Sequence, residues 1–119
     1  MNTKERYKKM LELNRRNPPL MSVEHRRFND SPEGERFGEE YRELVAAAAA
    51  ENAAEPLTEG ELVMVQMECG DTYNGSTGVV LAKKPDKDNS YKVRFETEDG
   101  PFTVNFAVHY LFRVEDLKQ

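Results

Sequence analysis

The stretch YKVRFETEDGPFTVNF, residues 91–106, decides the fold. Apolar side chains occupy alternate positions on both sides of a polar centre: Tyr91, Val93 and Phe95 before it, and Phe102, Val104 and Phe106 after it. This alternation is the pattern of half-buried strands, and the Asp99-Gly100 pair between them favours a tight hairpin turn. The stretch therefore predicts two antiparallel strands that share one apolar face.

Three further strands are predicted. Two precede this hairpin, at residues 62–67 and 77–82, and one follows it, at residues 111–114. Glycine and polar residues fill a long loop over residues 68–76, with Tyr73 near its tip, and a turn cluster covers Pro85–Ser90. Gly78 inside the second strand indicates a bulge or a close backbone crossing. Five strands with a long first loop favour a small SH3-like β-barrel over a sandwich, which needs more strands.

Two segments of the predicted sheet resemble a known family of small barrels. Val63-Met64-Val65, the loop closing on Gly75, and Gly78-Val79-Val80 are similar to the KOW type of SH3-like barrel. Residues 106–111 are similar in spacing to the short helix and strand that close SH3 domains. The resemblance covers the C-terminal half and implies a fold, not an activity. The chain has no tryptophan and lacks the paired aromatic stretch of peptide-binding SH3 domains.

The first half of the chain is predicted to be helical, which makes the whole an α+β protein. Asn2 and Glu5 have the spacing of a helix cap, Pro18-Pro19 ends that helix, and Ser22 caps a short helical turn. In the first helix Tyr7, Met10, Leu11 and Asn14 form the predicted apolar side, with Leu13 off that line. Ser31-Pro32-Glu33 starts an amphipathic helix over about residues 32–52. Its stripe consists of Phe37, Tyr41, Leu44, Val45, Ala48 and Asn52. We therefore divide the chain into a helical segment, 1–56, and a barrel domain, 57–119.

Charge is distributed unevenly along a chain whose formal net charge is −5. Residues 1–28 carry eight basic and three acidic side chains, a net +5, whereas residues 29–56 carry two and eight, a net −6. Residues 57–119 carry seven and eleven, a net −4. Two interpretations follow: the basic segment packs against the acidic helix, or it is an arm that binds phosphate or an acidic partner.

No catalytic or metal-binding motif emerges from the sequence. Cys69, Asp71 and His109 are the only candidates for nucleophile, orienting group and base, and nothing in their spacing brings the thiol to the imidazole. One cysteine and two histidines lack the spacing of a zinc site, and no phosphate-binding glycine loop is present. We expect no enzymatic activity, no cofactor and no metal. No stretch has the composition of a signal peptide or a membrane span, so we expect a cytoplasmic protein without a membrane partner.

The sequence favours a small binding or accessory protein that acts through protein–protein contact, such as an inhibitor or regulator of a nucleic-acid-handling enzyme. Aromatic and acidic residues on the barrel are the predicted contacts: Tyr73, Asp71, Tyr91, Asp99, His109 and Tyr110. One alternative is a nucleic-acid-associated protein that uses Lys4, Lys8, Lys9, Arg15, Arg16, Arg26 and Arg27. Another is a structural subunit of an assembly, with the stripe Phe37–Ala48 as an oligomer interface.

Overall fold

Three helices precede the sheet in a computed structural model that describes residues 1–84 and 89–118. Helix α1 spans Thr3–Arg16, α2 spans Val23–Asn29 and α3 spans Pro32–Ala54. The predicted starts are confirmed, because the side chains of Asn2, Ser22 and Ser31 each accept a hydrogen bond from a first-turn backbone N–H. A fourth helix, α4, spans Val114–Leu117, where the sequence predicted the end of a strand.

The buried side of α1 differs from the predicted one. Arg6, Met10 and Leu13 are its buried residues, at the i, i+4, i+7 spacing of one helix face. Leu13, expected off the apolar line, is fully buried, whereas Leu11 is only partly buried. The prediction failed because it did not count Arg6 on the buried side, so the predicted side was rotated away from Arg6 and Leu13.

The C-terminal half forms one five-stranded antiparallel sheet, which confirms the α+β class. The strands are β1 (Leu62–Val65), β2 (Thr77–Lys83), β3 (Ser90–Phe95), β4 (Phe102–Ala107) and β5 (Leu111–Arg113). Their order is β4-β3-β2-β1-β5, and a 3₁₀ turn at Val108–Tyr110 leads from β4 to β5. In the part of the chain that the structure describes, β4 and β5 do not pair with each other, so the closed barrel stays a prediction. The predicted turn at Pro85–Ser90 lies mostly outside the described residues.

Alternating burial along β3 gives the sheet its inner face. Tyr91, Val93 and Phe95 are buried, while Lys92 and Arg94 are exposed, as the sequence predicted. Gly78 lies where β2 crosses β3 closely: a Cβ there would come within 2.6 Å of Val93 Cγ1 and 2.8 Å of the Arg94 carbonyl oxygen. The bulge that the sequence allowed at Gly78 occurs instead between Val80 and Ala82.

Two apolar clusters hold the helices and the sheet together. The first lies on the inner face of the sheet, and Ala48 of α3 covers it. The second joins Met10 and Leu13 of α1, Leu44 of α3 and Phe112 of β5, all fully buried. The stripe of α3 is therefore used within the chain, since its residues Leu44 and Ala48 pack intramolecularly.

Basic residues of α1 pair with acidic residues of α3. Arg6 Nε lies 2.5 Å from Glu51 Oε2, Lys9 Nζ lies 3.3 Å from Glu40 Oε1, and Arg16 forms an ion pair with Glu40. The interpretation that the basic segment packs against the acidic helix is confirmed for these side chains. These pairs involve three of the eight basic side chains of residues 1–28.

Candidate protein-binding surface

One of the six predicted contact residues lies in the core. The Tyr91 side chain is 1% exposed, and its hydroxyl donates a 2.6 Å hydrogen bond to Asn52 Oδ1 on α3. Asn52 in turn donates to Asn89 Oδ1 at 3.1 Å. Tyr91 thus fastens α3 to the sheet and, contrary to the sequence-based prediction, does not lie on a contact surface. Its alternation with the exposed Lys92 already placed it on the apolar face.

The Tyr73 side chain packs the long β1–β2 loop against the end of the sheet. Its ring stacks on Phe95, with centroids 5.6 Å apart, and lies 6.0 Å from Phe102 and 5.8 Å from Phe106. Phe95 and Phe102 are paired across β3 and β4 and directly flank the hairpin turn at residues 96–101. The aromatic packing therefore brings the tip of the long loop to the same end of the sheet as this turn.

Four carboxylates are exposed at that end of the sheet, which we call the acidic end: Asp71, Glu96, Glu98 and Asp99. Asp71 Oδ1 accepts a 2.8 Å hydrogen bond from the Tyr73 backbone N–H, so its position follows that of the packed loop. Glu96 forms an exposed ion pair with Arg94 at 3.0 Å. The acidic end therefore combines negative charge with a partly buried aromatic ring, features that suit a basic protein surface.

His109 and Tyr110 lie in a different place, where the 3₁₀ turn meets α3. Tyr110 donates to Glu68 Oε1 at 3.4 Å, and the Tyr41 hydroxyl lies 2.8 Å from both Tyr110 Oη and His109 Nε2. These hydrogen bonds link Tyr41, His109, Tyr110 and Glu68 in one continuous relay. This relay joins α3, the 3₁₀ turn and the start of the β1–β2 loop.

Burial shifts the pKa values of several groups in this relay. Desolvation, helped by the positive charge of Arg6, lowers the pKa of His109 to about 4 from its ordinary 6.5. Burial also raises the pKa of Tyr110, and the hydrogen bond with Tyr41 and the charge of Glu68 add to that shift. Burial also raises the pKa of Tyr41, and the hydrogen bond with Tyr110 opposes that shift. His109 is therefore a neutral imidazole at pH 7 and is used in packing and hydrogen bonding.

The three candidate catalytic side chains, all among the described residues, form no hydrogen bond with one another. His109 bonds to Tyr41, whereas Asp71 bonds to the backbone of its own loop. Burial and the charges of Glu68 and Asp71 raise the pKa of the Cys69 thiol, which keeps it protonated at pH 7. Among residues 1–84 and 89–118, no three or more His, Cys, Asp and Glu side chains are grouped in a way that could hold a metal ion.

Of the seven residues of the nucleic-acid alternative, Lys9 and Arg16 are in ion pairs with Glu40. The hydrogen bond from Arg16 also lowers the pKa of Glu40. Lys4, Lys8, Arg15, Arg26 and Arg27 are exposed. Two of the seven residues thus pair with α3, and the other five are exposed on the surface.

Two residues of the acidic end, Glu96 and Glu98, were not among the predicted contacts. The available signal was the density of acids in one short hairpin turn, where three of four consecutive residues, 96–99, are acidic. Bringing the loop that contains Asp71 to the same end of the sheet requires the packing of Tyr73 on Phe95, which spacing alone does not reveal.

Comparison with protein-family models, curated proteins and solved structures finds no match for this chain. In the described part of the chain, the helices are all too short or too polar to cross a membrane.

Proposed function

We propose that this chain is a non-enzymatic binding protein that contacts a basic surface of a protein partner through the acidic end. The observation that carries the proposal is the packing of Tyr73 on Phe95 and Phe102, which brings the loop that contains Asp71 to the end of the sheet where the acidic hairpin turn lies. Complementary charge steers such partners together and fixes their register.

The class of partner follows from the sign of the charge. Nucleic acid and anionic lipid headgroups are repelled by exposed carboxylates, whereas a lysine- or arginine-rich protein surface is attracted. The nucleic-acid groove of an enzyme is one such surface. An inhibitor or regulator that occupies this groove is therefore the form of activity we propose, with residues 57–119 acting as an SH3-like barrel of the KOW type.

Comparative capture from a lysate of the source organism tests this proposal. The acidic-end variant carries Asp71→Asn, Glu98→Gln and Asp99→Asn, and Asn at position 71 keeps the acceptor used by the Tyr73 N–H. A control variant carries Glu35→Gln, Glu59→Gln and Glu115→Gln, three exposed acids away from this end, with the same change in net charge. Nuclease treatment removes bridging nucleic acid.

We expect wild type and the control to retain the same partner protein at about 50 mM salt. The acidic-end variant is expected to retain an amount of it that is lower by at least about tenfold. Equal retention by all three proteins contradicts the proposal. Direct titration with duplex DNA, single-stranded DNA and RNA tests the alternative based on the basic segment. Salt-sensitive binding that is lost in a Lys8→Ala, Arg15→Ala, Arg26→Ala, Arg27→Ala variant would replace our proposal by that alternative.

A further inference from the structure

The connection between α1 and α2 exposes three aliphatic side chains in succession, which we call the apolar tip: Leu20, Met21 and Val23. They are 53%, 96% and 59% exposed, respectively. Met21 also has a positive φ of 67°, a left-handed conformation that residues other than glycine and asparagine seldom adopt. The chain thus holds a large apolar side chain almost fully in solvent and in a strained backbone geometry.

The hydrogen bonds of this turn maintain that conformation. The Ser22 N–H and Ser22 hydroxyl both donate to the Pro19 carbonyl, at 3.2 and 2.6 Å, and Ser22 Oγ accepts from the His25 N–H at 3.0 Å. Strained residues that the surroundings hold in place occur preferentially at binding sites. Fixing Met21 outward before contact also lowers the entropic cost of binding.

A groove of about 790 Å³ lies between α1, α2 and α3. Pro18 and Phe28 line it, and the apolar tip lies in the short chain segment that connects these two residues. The α3 side contributes Glu33, Arg36, Glu39 and Glu43, all exposed. Arg16 and Glu40, which also line it, pair with each other, so three acids and one base remain, a net −2. We call this the acidic groove.

The tip and the groove are complementary to each other. Arg26 and Arg27 are exposed within one turn of Val23, so the apolar tip carries positive charge next to it. The groove offers apolar side chains, Pro18 and Phe28, within a negative surround. The tip is therefore complementary to the groove in charge, and both offer apolar side chains for contact.

We propose that two copies of this chain associate about a two-fold axis, with the apolar tip of each seated in the acidic groove of the other. Two-fold interfaces use one self-complementary patch on both subunits, and the tip together with the groove is such a patch. An anionic bilayer is disfavoured as occupant, because the groove's carboxylates would face its headgroups. This inference does not depend on the acidic end, and a dimer would present two acidic ends to a partner.

Sedimentation equilibrium of the full chain from about 5 to about 500 µM tests the inference, since a small, partly polar interface gives weak association. We expect the mass to rise from one chain towards two and to level there. Wild type that stays monomeric throughout overturns the proposal, as does a mass that passes two chains without levelling.

Charge reversal gives the sharper test. Arg26→Glu with Arg27→Glu makes the tip acidic, and Glu39→Arg with Glu43→Arg makes the groove basic. Each double variant alone is expected to associate at least tenfold more weakly than wild type, because like charges meet. An equimolar mixture of the two is expected to restore a dimer of one copy of each, since both tip–groove contacts then regain opposite charges. A mixture that stays monomeric overturns the proposal.

Two further variants separate dimerisation from folding. Met21→Gly relieves the left-handed strain, so we expect unchanged or higher thermal stability together with at least tenfold weaker association. A control with Glu59→Arg and Glu115→Arg, two exposed acids outside the groove, is expected to dimerise as wild type does. Loss of association in the control, or full association of Met21→Gly, contradicts the role assigned to the tip and the groove.

Discussion

Arg6 connects the first helix to the end of the sheet. Its guanidinium donates to the carbonyl oxygens of His109 at 3.1 Å and Leu111 at 2.9 Å, and it lies 4.1 Å from the centroid of the Phe112 ring. Glu51 completes its environment with an ion pair. Burial lowers the pKa of Arg6, while Glu51 opposes that shift. The cation is thus enclosed by partners from α3, the 3₁₀ turn and β5.

Replacing Arg6 by methionine should lower the free energy of unfolding by about 2–4 kcal/mol, because two backbone carbonyls and a carboxylate lose their donor. Urea denaturation measures this loss. Arg15→Met, at an exposed position of the same helix, is the control and should change stability by less than about 0.5 kcal/mol. Equal effects of the two substitutions would contradict the connecting role of Arg6.

His109 makes stability depend on pH in a predictable direction. Its pKa is about 4 in the folded protein against an ordinary 6.5, so the unfolded state binds a proton more readily. The stability due to the neutral imidazole is therefore complete above pH 6.5 and is lost as pH falls towards 4. Because the ring is only partly buried, we expect a loss on the order of 1–2 kcal/mol across this window.

Chemical denaturation at pH 7, 5.5 and 4.5 checks this expectation against a His109→Asn variant. The variant should show a flatter profile between pH 6.5 and 4.5, whatever its absolute stability. Carboxylates such as Glu40, whose pKa is lowered by Arg16, act in both proteins and cancel in the difference. Parallel profiles for the two proteins would rule out His109 as the source of the pH dependence.

At the scale of elements, the close crossing of β2 and β3 depends on one glycine. Gly78→Ala would force a methyl group against Val93 and the Arg94 backbone, so we expect a loss of about 2–4 kcal/mol. A thermal melt measures it. Gly70→Ala is the matched control, since a Cβ at Gly70 meets no atom within 4 Å, and it should shift stability by less than about 0.5 kcal/mol. A tolerated Gly78→Ala would show that the strands can separate at little cost.

Elements with a regular local pattern were predicted correctly from the sequence. The alternation in β3 and β4 and the Ser31-Pro32 cap of α3 depend on neighbouring residues only. Leu13 was misplaced because the burial of Arg6 depends on Glu51 and on carbonyls about a hundred residues away. Tyr91 was assigned to a contact surface because tyrosine is common at interfaces, although its alternation with Lys92 indicated the apolar face. Long-range polar pairing thus accounts for the first error, and the second came from weighing residue type above the local pattern.

At the scale of the whole molecule, some charged side chains pair with each other between α1 and α3, and others are exposed on two separate surfaces. The pairs between α1 and α3 neutralise part of the basic segment, and the acids at the far end of the sheet keep their charge in solvent. The α1–α2 connection supplies a separate apolar and basic feature. The sequence-based prediction included only Asp71, Tyr73 and Asp99 of the candidate site. The acids at residues 96–99 are close in the sequence itself, whereas the approach of the Asp71 loop to them follows from aromatic packing across the sheet.

The most direct measurement of the central claim is site-specific photo-crosslinking in cells of the source organism, with a benzophenone amino acid placed at one position at a time. Thr72 and Glu98 report on the acidic end, and Lys8 and Arg15 report on the basic segment; all four are exposed. We predict that Thr72 and Glu98 crosslink to the same protein, one with a basic surface, and that Lys8 and Arg15 do not. Crosslinks only from Lys8 and Arg15, or to nucleic acid, would contradict the account.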